Sequence, residues 1–74
     1  MSPARHVIFG TGAIGLATHD SLRRRGETVR LVNRYGHARV PDDVDVIAGD
    51  ARDPAFTRAV TQGASVVYQT LNPP

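Results

Sequence analysis

Three glycines, Gly10, Gly12 and Gly15, stand directly after the apolar run Val7-Ile8-Phe9 and directly before a stretch with helical spacing. A strand that runs through a glycine turn straight into a helix leaves few folds open. The first glycine lets the chain bend sharply on leaving the strand. The second has no Cβ, so another group can come close to the backbone. The third lets the helix pack tightly on the strand. The first amides of the helix have no partner within it, and its dipole favours an anion there. Strand, G-x-G-x-x-G and helix in this order predict a pyrophosphate cradle over Gly10, Thr11, Gly12, Ala13, Ile14 and Gly15, with the Thr11 hydroxyl in reach of a phosphate.

The rest of the chain repeats the strand–helix alternation. Strands are expected over residues 5–9, 28–32, 44–48 and 65–69, and helices over 13–25 and 54–62. Ile14, Ala17, Ser21 and Leu22 mark the inner stripe of the first helix, and Phe56, Ala59 and Val60 that of the second. Gly26 and Gly63 stop the helices. Asp53-Pro54 reads as an N-cap followed by proline at the first helical position. Residues 34–43 read as loop. Alternating strands and helices predict an α/β fold with a parallel sheet in the order 3-2-1-4, part of a doubly wound, Rossmann-type sheet truncated after strand four. Strand four is then an apolar edge, which leads to the expectation that residues 1–74 are the N-terminal fragment of a larger dinucleotide-binding domain.

At 74 residues there is room for one domain, and a chain of that size buries only roughly 60–65% of its unfolded surface. There is no cysteine, so disulfides and thiolate metal sites are excluded. No apolar run nears the roughly 20 residues of a membrane span, and the N-terminus lacks a secretory core, so a cytoplasmic setting is expected. The net charge is +2 and every basic residue is arginine. Arg23-Arg24-Arg25 falls at a helix C-terminus, where cations complement the dipole, and carries no interleaved aromatics, which disfavours nucleic acid as partner. His6, His19 and His37 share no metal-like spacing and read as structural or exposed. Asp42, Asp43 and Asp45 read as a solvated cluster.

The end of strand two selects the cofactor. NAD is usually held there by an acid on its ribose hydroxyls, NADP by an arginine on its 2′-phosphate. Here the strand ends Val32-Asn33-Arg34, which favours NADP, with NAD as the alternative. Tyr35 is a candidate for stacking on adenine. Asp50, at the carboxyl end of strand three, is placed to accept from the adenine amino group, with the Ala51 backbone beside it. Its alternative is a turn aspartate bonding its own backbone. Asp53 is assigned to capping.

Together, Gly10-Thr11-Gly12-Ala13-Ile14-Gly15, Val32-Asn33-Arg34, Gly49-Asp50-Ala51-Arg52-Asp53 and Ala64-Ser65-Val66-Val67-Tyr68-Gln69 resemble the N-terminal region of extended or atypical short-chain dehydrogenases/reductases, the NAD-dependent epimerase/dehydratase group. The resemblance runs from about residue 5 to residue 72 and would span the first quarter of a typical member. It implies the phosphate loop at Gly10, Gly12 and Gly15, the 2′-phosphate at Arg34, adenine at Asp50 and Ala51, and the cofactor ribose near Gln69, Thr70 and Leu71. The family's loop is more often G-x-x-G-x-x-G, so the tighter spacing is a departure. Its catalytic Tyr-x-x-x-Lys has no counterpart, because the chain has no lysine. A small carbonyl or sugar-like substrate belongs only to a longer parent. Gly10 to Gly15 with Arg34 also resembles ketopantoate reductases. Gly49-Asp50-Ala51 also resembles the nucleotide-binding regulatory domain of potassium transport systems, a non-catalytic sensor. A short-chain dehydrogenase fold that binds NADP without catalysis is a further alternative.

Overall fold

His6-Val7-Ile8-Phe9 has no polar alternation, and all four residues are buried in β1 (His6–Phe9). The reason is position: β1 is an inner strand of a parallel sheet covered on both faces. The computed structural model describes residues 3–71. Its elements are β1, α1 (Ala13–Arg24), β2 (Val29–Asn33), β3 (Asp45–Ala48), α2 (Pro54–Thr61) and β4 (Val66–Gln69). The strands form one parallel four-stranded sheet in the order β3-β2-β1-β4. The chain is thus an α/β protein with the partial Rossmann-like topology that the strand–helix alternation predicts. Asn72, where the resemblance ends, lies with Pro73 and Pro74 outside the described residues.

The pleat divides the core in two. Val7, Phe9 and Val32 face α2 and meet Val60 and Phe56; Ile8 and Leu31 face α1 and meet Leu22 and Leu16. The helices therefore lie on opposite faces. Residue 8 of β1 pairs with Leu31 on one side and Tyr68 on the other, so the register aligns the carboxyl ends of the inner strands.

The rotation of α1 differs from the expected stripe. Gly15, His19 and Leu22 are its buried residues, whereas Ile14 is 70% exposed and Ala17 and Ser21 face outward. The glycine turn causes this. A Cβ at Gly15 would strike the Gly10 carbonyl, so the helix must present Gly15 to the end of β1, and positions four and seven residues on follow it inward. In α2, Phe56 and Val60 turn inward and Ala59 outward. The α1 terminus closes as a Schellman motif: Gly26, at φ +77°, donates to Arg23 and Glu27 donates to Leu22.

Two acids of the 42–45 cluster are engaged, not merely solvated. Asp43 accepts two bonds from the Arg23 guanidinium, at 2.9 and 2.8 Å, which fastens the long loop to α1. Asp45 accepts from Nε of Arg30 at 2.8 Å. Arg30, on β2, is only 2% exposed, and its Nη1 donates to the Val60 carbonyl in the last turn of α2 at 2.8 Å. One buried guanidinium thus ties β2, β3 and the C-terminal end of α2 together, where the helix dipole favours a cation. His6 is buried, with Nδ1 3.1 Å from the Tyr68 hydroxyl and Nε2 3.4 Å from Glu27. On the far edge, Val66 and Val67 of β4 are exposed.

Candidate functional site

The two helix N-termini are built differently. At α2, Asp53 caps: its Oδ1 accepts from Ala55 at 3.0 Å and Phe56 at 3.3 Å. At α1 the N-cap is Gly12, extended at φ −75° and ψ −169°, with no side-chain cap and no acid in the first turn. Among the described residues, the leading amides of α1 have no side-chain partner at the point where β1 ends.

The three glycines of the turn have different local reasons. Gly10 has φ +114°, and a Cβ there would run into the Thr70 hydroxyl. That hydroxyl is held in place by donating to the Phe9 carbonyl at 2.8 Å. Gly15 makes room for the Gly10 carbonyl. Gly12 is neither crowded nor in a left-handed conformation: a Cβ built on it meets nothing within 4 Å. Gly10 and Gly15 are explained by the packing of this chain, and Gly12 is not.

Beyond the carboxyl ends of the strands lies a cleft of about 850 Å³. That is the size of a small-molecule site and the position where open α/β sheets bind ligands. Of the residues expected at the site, Gly10, Thr11, Gly12, Asn33, Arg34, Asp50, Ala51, Gln69 and Leu71 line it. Ala13, Ile14, Gly15 and Thr70 do not. For Gly15 and Thr70 the reason is the packing just described, which places them behind the turn. Ile14 points its side chain to solvent, so it and Ala13 offer backbone amides alone.

Several of these side chains are engaged within the protein. The Asn33 amide donates to the Thr11 hydroxyl at 2.9 Å and to the His37 carbonyl at 2.8 Å. Its Oδ1 accepts from the Tyr35 and Gly36 amides. Asn33 therefore organises the turn after β2 and ties it to the glycine loop. The Thr11 hydroxyl serves there as acceptor and keeps its own proton to donate. Gln69 turns back to accept from the Leu71 amide at 2.9 Å.

Asp50 is held by its own turn, as the alternative reading of that residue anticipates. Its Oδ1 accepts from the Arg52 amide at 2.8 Å and from Arg52 Nε at 3.1 Å, and its Oδ2 accepts from Arg52 Nη2 at 3.0 Å. The guanidinium bonds, then the amide, with Arg34 adding a smaller charge effect, hold the Asp50 carboxyl down at about 2. The same pairing raises the Arg52 pKa.

Sequence reasoning gave no role to Arg52, Gly49, Phe9 or Val32, all of which line the cleft. Gly49 carried a signal, since it opens the turn after strand three: a Cβ there would overlap the Phe56 ring, so the glycine lets α2 close over that strand end. Arg52 carried one too, as a guanidinium two residues from an acid in a tight turn. Tyr35, the candidate for stacking, lines the cleft and is 76% exposed. Arg34 is exposed and lines it from the β2 side.

Among the described residues, no helix is long and apolar enough to cross a membrane, and no three metal-binding side chains converge. Comparison of the chain with family models, curated proteins and solved structures finds no match.

Proposed function

We propose that this chain binds a dinucleotide, NADP in preference to NAD, and supplies the cofactor-holding part of an oxidoreductase resembling extended short-chain dehydrogenases/reductases. One observation carries the reading. Gly12 lines the cleft, has open space where its side chain would be and an ordinary backbone conformation, and heads a helix whose first amides have no side-chain cap among the described residues. Nothing among the described residues requires that position to be glycine, and a pyrophosphate lying on the amides would.

The chain's own residues divide the work. The α1 amides, with Thr11 as a hydroxyl donor, hold the two phosphates. Arg34 meets the 2′-phosphate of the adenosine ribose, and the end of β2 offers no carboxylate to repel it. Leu71 and Gln69 border the cleft at the end of β4, where the resemblance expects the cofactor ribose. Bound there, the cofactor supplies hydride chemistry; the chain supplies binding and orientation. It has no lysine, so the Tyr-x-x-x-Lys pair of the resembled family has no counterpart among these residues.

Titration of the 74-residue chain with NADP, NAD and inorganic pyrophosphate, followed by calorimetry, tests the reading. NADP binding tighter than NAD is expected, and Gly12→Asp should abolish both by placing a carboxylate on the phosphate position. Absence of binding by either dinucleotide to the folded chain would remove the proposal.

A further inference from the structure

The turn after β3 does more than border the cleft. A carboxylate has about four lone-pair sites, and Arg52 fills three of those on Asp50. The resemblance implies that this aspartate reads adenine, but here its bonding is largely spent on its neighbour. What the pairing fixes is the guanidinium. Two of its nitrogens, Nε and Nη2, are anchored, the side chain is 78% exposed, and Nη1 has no partner among the described residues. Arg34 enters the same cleft from the β2 side and makes no hydrogen bond or ion pair among the described residues. Arg34 and Arg52 thus face one cleft from the turns after β2 and β3, and the Arg34 charge adds a small effect at Asp50.

We infer that Arg52 is a second phosphate-binding residue, positioned by Asp50, and that it closes with Arg34 on the 2′-phosphate of NADP. The inference rests on the dinucleotide reading above. Its physical basis is the fork. An arginine whose Nε side is fixed by a carboxylate has already lost most of its side-chain freedom and presents its remaining N–H groups at a set angle. Pairing also cancels the negative charge that Asp50 would otherwise place near the phosphate. With Arg34, Arg52 and Asp50 together, the adenosine end keeps a net charge of +1, which suits a phosphate monoester better than a bare ribose. Asp50 is a positioning residue in this account, and its own contact with the base is secondary.

Affinities for NADP and NAD measured on the full chain, as wild type, Arg52→Ala and the double variant Asp50→Ala/Arg52→Ala, provide the test. Arg52→Ala should weaken NADP about tenfold, the size of one lost charge-assisted contact at an exposed site, and leave NAD within about twofold. That variant alone also unmasks Asp50, so the double variant decides: it removes the pair without changing net charge. If Arg52 touches the phosphate, the double variant stays about tenfold weaker for NADP. If Arg52 only neutralises Asp50, the double variant recovers wild-type affinity, and the proposal is overturned while the dinucleotide reading stands. A wild type that binds neither cofactor instead removes the dinucleotide reading itself and this proposal with it. A spectroscopic signature separates positioning from mere folding. The Arg52 Nε–H resonance should shift on adding NADP and stay put on adding NAD, and should broaden into solvent exchange in Asp50→Asn; an unmoved signal with NADP would contradict the contact.

Discussion

The two strand–turn–helix units of this protein carry the same sequence of elements and opposite chemistry at the turn. The β3–α2 turn is finished from within. Asp53 caps the helix, Pro54 occupies the first helical position where no amide proton is needed, and Phe56 fills the space over Gly49. The β1–α1 turn is left open. Its N-cap is glycine and, among the described residues, its amides have no side-chain acceptor and the second of its three glycines has no neighbour where a Cβ would stand. A helix terminus without a side-chain cap costs stability, by roughly a few tenths of a kcal/mol where the N-cap is glycine. One unit has removed that cost and the other retains it at the mouth of an 850 Å³ cleft. The contrast teaches that a glycine-rich turn is a binding element only where the protein does not itself use up the free amides.

The largest expected effect separates the glycines of the open turn. Gly15→Ala drives a methyl into the Gly10 carbonyl, and a loss of about 3 kcal/mol or outright failure to fold is expected in urea denaturation, as for a severe backbone clash. Gly12→Ala should stay within about 1 kcal/mol of wild type, because its φ and surroundings accept a side chain. Equal losses for the two would erase the distinction between packing and ligand glycines.

Next comes the closed unit's anchor. Arg30→Met leaves the Val60 carbonyl without its buried donor and Asp45 without its partner. A loss of about 2 kcal/mol is expected, with exchange protection falling first in α2. Asp53→Ala should cost about 1 kcal/mol through the lost cap and leave NADP affinity unchanged. A drop in affinity there would mean that the two turns are not independent.

The smallest effect is a pH dependence. The Asp50 carboxyl sits at about 2 in the folded chain, below its ordinary value of 3.8. A group depressed by folding binds its proton more readily in the unfolded chain. Its contribution is therefore present above the ordinary carboxylate range and lost as the pH falls from about 4 towards 2. The Asp50 side chain is about half exposed and solvent-screened, so the slope is shallow. Acid titration of stability should be slightly flatter in Asp50→Ala than in wild type between those limits.

Much of the fold is legible along the chain because it rests on local rules. The strand order follows from alternation and crossover handedness, and the helix ends follow from Gly26, Gly63 and Asp53. What escapes depends on register. Arg30 looks like a stray charge in the run Val29-Arg30-Leu31-Val32 until β2 and β3 pair, which sets Arg30 directly against Asp45. The facing side of α1 escapes for a similar reason: its rotation is set by one backbone contact at Gly15, not by its apolar residues, so Ile14 is left outside. At the site, the residue types at the strand ends are legible, but their bonding is not. Asn33 and Asp50 carry groups suited to a ligand, and only the turn geometry shows that each is largely engaged with its own turn.

Amide resonances followed through a titration with NADP test the central claim most directly. The account predicts that Gly12, Ala13 and Ile14 shift together on saturation, that Ala55 and Phe56 at the capped α2 terminus stay still, and that Gly12→Asp abolishes the response. Resonances of the open turn that do not move with NADP, or that move no more than those of Ala55 and Phe56, would contradict it.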